Sequence, residues 1–265
     1  MASVLSGMKS RGKVVLITGA SEGIGAACAQ AFLDRGARVA VTARDEEKLK
    51  QVAGPDGFFY AADLLAPGAC GQVVEAAVRH YGRIDVLVNS AGVGLYASAS
   101  EASLAQARAM FDLNFFALLE MVQNVTPVMS GQRSGTIVNI SSIAGMMTLP
   151  WFTLYSASKH AVCSLTDGLR MELRPYGIHA MCVCPGYVST SFQSHVLAGR
   201  PPVALQHRRP LAITPAECAL AIVRGVERNA RTVVTPSSGW LAVLASRLFP
   251  GVVERRLGRM LREAS

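Results

Sequence analysis

Seven short runs of largely apolar, often β-branched residues recur along the chain: Lys13 to Thr18, Arg38 to Thr42, Phe58 to Ala61, Asp85 to Asn89, Thr136 to Ser141, Ile178 to Cys184 and Thr232 to Val234. Between them apolar residues return at the spacing of a helix face, as in Ala26 to Arg35, Pro67 to Tyr81, Leu104 to Met129, Leu154 to Arg174 and Pro215 to Arg228. The runs are apolar on both sides instead of alternating, so both faces of their sheet must be covered. A parallel sheet meets that condition because each crossover lays a helix on one face. The pattern predicts an α/β fold: a doubly wound parallel sheet of about seven strands with helices on both faces. No linker, repeat or low-complexity tract divides residues 1–265, which are read as a single domain.

Two stretches break the rhythm. Residues 187–213, rich in Pro, Arg and His, follow the end of a strand, where open α/β sheets bind ligands, and are expected to form a substrate lid or loop. Residues 236–265 mix Trp240, Leu241, Leu244, Leu248 and Phe249 with Arg247, Arg255, Arg256, Arg259 and Arg262. This tail reads as an amphipathic helical pair that packs on its own protein or makes peripheral membrane contact.

Composition narrows the class. With 51% hydrophobic and 17% charged residues, the chain has the makeup of a packed globule and not of a disordered one. The net charge of +8 is scattered among acids, so a nucleic-acid partner is not expected. Six cysteines, Cys28, Cys70, Cys163, Cys182, Cys184 and Cys218, show no C-x-x-C spacing, and the five histidines show no ligand spacing. Free buried thiols and no metal are the expectation. The first strand comes too early for a signal peptide, and the apolar stretch from Trp240 to Val253 is broken by Arg247 and Pro250. A soluble cytoplasmic protein follows, peripheral to a membrane if the tail docks there.

Straight after the first strand comes Thr18-Gly19-Ala20-Ser21-Glu22-Gly23-Ile24-Gly25, leading into an Ala-rich helix. Gly19, Gly23 and Gly25 allow a sharp turn and close backbone approach, and the helix N-terminus beyond Ser21 and Ile24 offers unpaired N–H groups to a pyrophosphate. Strand before and helix after are the context that makes the glycine pattern a dinucleotide site, hence a Rossmann-like domain.

Thr18-Gly-x-x-x-Gly-Ile-Gly25, Asn89-Ser90-Ala91-Gly92, Asn114, Ser142, Tyr155-x-x-x-Lys159 and Pro185-Gly186-x-Val188-x-Thr190 together resemble the short-chain dehydrogenase/reductase (SDR) family, over about residues 13 to 235. Ser90 departs from a second Asn that the family often has, which should alter hydrogen bonding behind the adenosine. The resemblance implies a nicotinamide cofactor held by Gly19, Ser21, Gly23, Ile24, Gly25, Asn89, Ala91, Gly92, Pro185 and Gly186. It gives Asp63 the adenine contact, although an N-cap to the next helix is an alternative. Val188 and Thr190 resemble the positions that meet the carboxamide. After the second strand the chain offers Ala43-Arg44 and no acid, so Arg44 is read as a 2′-phosphate ligand and NADP(H) is favoured over NAD(H), with Glu22, Asp45 and Glu46 diluting the field.

Tyr155 and Lys159 are four apart on one helix face. Moving a hydride to or from a carbinol carbon requires an acid/base for the oxygen's proton. Tyrosine ionises near 10, and a cation about 4 Å away would supply the roughly 4 kcal/mol that lowers it to neutrality. Lys159 is expected to do so and, by resemblance, to hold the nicotinamide ribose together with Tyr155. Family spacing selects Ser142, with Ser141 as its fallback, to position the substrate oxygen, and Asn114 to support a proton relay through Lys159.

Tyr96, Met147, Trp151, Phe152, Tyr187 and Phe192 flank these groups and are mostly apolar. They point to a hydrophobic secondary alcohol or ketone, of lipid, steroid, retinoid or aromatic type. Apolar excess at Phe115, Phe116, Leu118, Leu119, Met121 and Ala161 to Leu169 suggests a homodimer or homotetramer. The expected activity is NADP(H)-dependent interconversion of such an alcohol and ketone. The alternatives are a catalytically silent nucleotide-sensing binding protein and a membrane-surface-associated reductase of the same substrate class.

Overall fold

The computed structural model describes residues 10–55, 57–199 and 212–262, and in it seven parallel strands form one sheet. They are β1 (Val14–Thr18), β2 (Arg38–Ala43), β3 (Phe58–Ala61), β4 (Val86–Asn89), β5 (Gly135–Ile140), β6 (Ile178–Pro185) and β7 (Thr232–Thr235). Each lies within one residue of the run that predicts it. The order is β3-β2-β1-β4-β5-β6-β7. Chain direction across the sheet reverses between β1 and β4, and the crevice at the C-terminal ends of those strands is where such sheets bind ligands.

The helices are α1 (Gly23–Leu33), α2 (Glu46–Ala53), α3 (Ala69–Tyr81), α4 (Leu104–Phe111), α5 (Leu118–Gln132), α6 (Thr153–Glu172), α7 (Pro215–Glu227), α8 (Gly239–Leu248) and α9 (Pro250–Arg262). Alternate strand residues meet helices on opposite faces. Val15, Ile17, Val39 and Val41 pack with Phe32 of α1, Leu49 of α2 and Ile222 of α7. Leu16, Ala40, Leu87 and Ile137 pack with Val74 of α3, Val125 of α5 and Val162 of α6. Burying each such Val, Leu or Ile stabilises the fold by about 2 kcal/mol, so these two layers fix the strand ends that carry the site.

Local chemistry sets the helix ends. α2 begins where Asp45 accepts from the Lys48 amide, and α7 begins at a capping box between Thr214 and Glu217 with Pro215 in its first turn. The helix expected over 104–129 is interrupted: a π-helical turn, Asp112–Ala117, joins α4 to α5. Asp63 does not cap α3, which starts behind Gly68; its carboxylate instead accepts from the Leu65 amide at 3.0 Å. Of the apolar excess read as subunit surface, Leu118 and Met121 belong to the core, whereas Phe116 is exposed.

The tail forms α8 and α9. They leave Trp240, Leu241, Leu244, Leu248, Phe249 and Val252 exposed, Leu241 by 71%. Leu257 of α9 turns inward onto a cluster that contains Leu95, Trp151 and Phe152. Among the described residues no helix is long and apolar enough to cross a membrane. Of the expected lid, 200–211 lie outside the described residues; Ser191–Ser194 form a short 3-10 turn, and Val188 bridges to Ile213.

Candidate active site

β1 ends at Thr18, and the chain turns through Gly19 before α1 starts at Gly23. Both glycines have positive φ, 63° and 60°. A Cβ on Gly19 would stand 2.7 Å from the Ala91 backbone, and one on Gly25 would stand 2.2 Å from the Gly19 carbonyl oxygen. The glycine spacing is thus imposed by close backbone approach, both within the turn and against the segment after β4. Thr18 joins the two, its hydroxyl accepting from the amides of Ser90 at 3.1 Å and Ala91 at 3.2 Å. Glu22, the N-cap of α1, makes no side-chain capping bond, so the helix keeps the partial positive charge of its first amides.

The four expected reacting residues come together beyond β4 and β5. Ser142 caps a short turn, its hydroxyl oxygen accepting from the Ala144 amide at 3.1 Å and its hydroxyl donating to the Pro185 carbonyl at 3.5 Å, and it lies beside the Tyr155 phenol. Ser141, the fallback, donates to the Lys159 carbonyl at 2.8 Å. Tyr155, in the first turn of α6, is 7% exposed, and Lys159, one turn on, 4%. The Lys159 Nζ donates to the Ile140 carbonyl at 3.0 Å and stands 5.6 Å from the centre of the Tyr155 ring. Asn114 lies fully buried in the π turn, a widened geometry common at functional sites. It accepts from the Val93 amide at 2.8 Å and donates to the Val93 carbonyl at 2.9 Å and to Ser158 at 3.2 Å. Gly92 lies between the two: a Cβ there would be 3.0 Å from Asn114 Oδ1 and 3.4 Å from Lys159 Nζ.

Aromatic rings wall this constellation. Tyr96 stacks on Phe152 at 4.3 Å, Phe152 on Tyr155 at 4.1 Å, and Phe192 meets Tyr155 edge-on at 5.8 Å. Trp151 belongs to the same cluster. Met147 and Tyr187, expected with them, are half-buried. The cluster gains Leu257, which no local pattern could place here from the end of the chain.

The sequence pattern described as short chain dehydrogenase matches residues 13–200. The chain belongs to that family. As a short chain dehydrogenase it is an oxidoreductase of the CH–OH/C=O pair. An 11-beta-hydroxysteroid dehydrogenase 1A from Arabidopsis thaliana is 33% identical over 261 residues, which cover 92% of this chain and 74% of that protein. A short chain dehydrogenase/reductase from Burkholderia phymatum in complex with NAD superposes with a TM-score of 0.81 at 25% identity, covering 93% of this chain and 95% of that one. A short chain dehydrogenase from Burkholderia cenocepacia in complex with NADP does so with a TM-score of 0.77 at 28% identity, covering 94% and 98%.

Members of the short chain dehydrogenase family bind a nicotinamide nucleotide, and the side-chain-free turn at Gly19, Gly23 and Gly25 below an uncapped helix end fits a pyrophosphate. Just past the end of β2, Arg44 is exposed, with no hydrogen bond or ion pair among the described residues. Glu22, which counts against a phosphate in the sequence, is held by His195 at 3.0 Å and Lys48 at 3.7 Å. Lys48 is a basic neighbour that sequence reasoning passed over, because only the fold brings α2 beside the glycine turn. Asn89 donates to Asn139 at 3.0 Å while its own carbonyl oxygen is buried without a partner among the described residues. The Gly186 amide donates to the carbonyl of Thr235, which pairs with Pro185 across the sheet. Thr190 is engaged as a cap, accepting from the Phe192 amide at 3.2 Å.

The electrostatics of the short chain dehydrogenase site depart from expectation. Burial pushes the Tyr155 phenol above its ordinary value near 10, and the Ser142 hydroxyl opposes it. Lys159 is itself pulled down to about 8 by desolvation, against the pull of Cys163, Cys182 and Cys184. In this geometry burial outweighs the lowering expected from the Lys159 ammonium, which is anchored on the Ile140 carbonyl and stands 5.6 Å from the ring centre. A cavity of about 960 Å³ lies elsewhere, at the N-terminal ends of the strands, lined by Lys13, Asp85 and Glu227 among others. Of the charges along it, Lys13 pairs with Asp85 at 3.0 Å and Glu227 with Arg35 at 3.2 Å.

Proposed function

We propose that this enzyme reduces a hydrophobic ketone, or a related carbonyl, to its secondary alcohol with NADPH. The observation that carries the reading is the pair of reacting hydroxyls, Ser142 and Tyr155, set in the aromatic wall of Tyr96, Phe152 and Phe192. Such a lining favours apolar ligands with one polar anchor. A steroid-like substrate agrees with the activity named for the Arabidopsis relative.

When bound, NADPH supplies the hydride. Ser142 holds the carbonyl oxygen, and Tyr155 gives that oxygen its proton. Because burial keeps the phenol protonated at neutral pH, the acid form is the resident one, which suits reduction. Lys159, charged below about 8, steadies the phenolate left behind and holds ribose. Asn114, fixed to Val93 and Ser158, supports the return of the proton from the lysine side. Gly19, Ser21, Gly23, Ile24 and Gly25 hold the pyrophosphate, Asp63, Asn89, Ala91 and Gly92 the adenosine side, and Pro185, Gly186, Val188 and Thr190 the carboxamide.

The NADP preference rests on Arg44, with Lys48 drawing the Glu22 charge away from it. Turnover of hydrophobic ketones, followed by nucleotide absorbance with NADPH and NADH in parallel, tests the whole reading. Arg44→Ala is expected to raise the KM for NADPH at least tenfold, about 1.4 kcal/mol of lost charge-assisted bonding, and to leave NADH nearly unchanged. A wild-type enzyme that prefers NADH would refute the assignment of Arg44.

We further propose that α8 and α9 rest on an anionic membrane surface, since the exposed Trp240, Leu241, Leu244 and Phe249 stand among the exposed Arg247, Arg255, Arg256 and Arg259. Wild type is expected to co-sediment with phosphatidylglycerol vesicles, and Leu241→Glu with Phe249→Glu to remain in the supernatant. A wild type that stays in solution with those vesicles contradicts it. Exposed Phe116 and Met171 favour self-association as a dimer or tetramer in a cytoplasmic setting.

A further inference from the structure

We propose that Cys163, Cys182 and Cys184 form a zinc(II) site behind Lys159, with an oxygen at its fourth corner. α6 carries Cys163 one turn past Lys159, and β6 turns Cys182 and Cys184, two apart, to the same face. The sulfurs stand 3.5 Å apart for Cys163 and Cys182, and 3.8 Å apart for the other two pairs. Tetrahedral zinc, with Zn–S bonds of about 2.3 Å, requires sulfurs about 3.8 Å apart. An ion about 2.3 Å from all three sulfurs would stand about 0.8 Å off their plane, where a tetrahedral centre stands; a planar three-sulfur site would need about 4.0 Å between sulfurs.

The surroundings suit the ion as well. The Ser141 hydroxyl oxygen lies 3.2 Å from Cys163 Sγ and is oriented by its own donation to the Lys159 carbonyl at 2.8 Å, which leaves its lone pairs towards the sulfurs. Val234 and Met146 close the apolar side. Cys163 is the half-buried member and offers the way in. Three thiolates around a dication leave one negative charge, which the neighbouring Lys159 ammonium offsets. Binding releases the protons that the thiols carry. The C-x-x-C spacing sought in the sequence does not apply, because the site joins a strand pair to a helix residue nineteen positions earlier.

The site is independent of substrate and nucleotide, so it can be tested without turnover. Full-length protein, reduced and stripped with a chelator, is titrated with Co²⁺ and followed by thiolate-to-cobalt charge-transfer absorbance. Saturation at one Co²⁺ per chain is expected, with loss of the band on adding Zn²⁺, which thiolates favour. Cys163→Ser, which removes a ligand and so costs more than the loss of an outer partner, should weaken Co²⁺ binding by at least about 100-fold with an unchanged circular dichroism spectrum, and Cys70→Ala, at a buried thiol elsewhere, should bind as wild type. If Cys163→Ser folds poorly, Cys184→Ser takes its place with the same expected loss. No charge-transfer band in the wild type, or a band undiminished in the folded serine variant, overturns the proposal.

Discussion

Replacing Tyr155 by phenylalanine is expected to lower turnover about 10³-fold while nucleotide affinity falls by no more than about tenfold, the cost of one ribose hydrogen bond. The size follows from losing a positioned proton donor, for which general acid catalysis supplies 10²- to 10⁴-fold. The variant is clean because the ring does the packing: it stacks on Phe152 at 4.1 Å and meets Phe192, and neither contact involves the hydroxyl. Only the polar contact with Ser142 is lost, at most about 1 kcal/mol of stability. Steady-state rates, nucleotide titration and a melting curve measured together separate the two effects. Near-normal turnover in Tyr155→Phe would remove the proposed acid.

Lys159→Met should lower turnover about 10²-fold, and the wild-type rate should fall as pH rises through about 8, where the buried ammonium loses its proton. Stability moves the other way. The folded-state pKa of about 8 lies below the ordinary 10.5, so between those values the unfolded chain binds more protons than the folded one. Folding stability therefore increases with pH across this window, by up to roughly 3 kcal/mol for a group so buried. Urea unfolding of wild type and Lys159→Met at pH 7.5 and 10 should show the wild type gaining on the variant at the higher pH. A constant difference between the two would mean that Lys159 carries no such penalty.

The strands were legible because runs such as Val14 to Thr18 are apolar on both sides, a pattern that a sheet covered on both faces imposes directly. The glycine turn and the Tyr155–Lys159 spacing were legible for a similar reason, since both are local. What the sequence hid depends on distance across the fold. Lys48 meets Glu22 only when α2 folds back on α1, and Leu257 reaches the aromatic wall from the far end of the chain. Short, charged α2 shows in the chain only as a charged start at Asp45 and Glu46. The π turn around Asn114 is invisible to a periodicity argument because apolar spacing on either side of it is helical. The state of Tyr155 depends on burial, which a sequence does not show, as well as on the Lys159 charge, which it does.

The placement of Leu257 ties two parts of the molecule that the sequence keeps apart. Leu257 of α9 packs against the aromatic cluster that holds Tyr155, while α8 and the start of α9 leave apolar side chains outside, so a grip on that outer surface would bear on the wall beside Tyr155. On the membrane contact proposed above, selectivity would differ between the enzyme in free solution and at rest on a bilayer. A shortened chain would keep all four reacting residues and still choose its substrates differently.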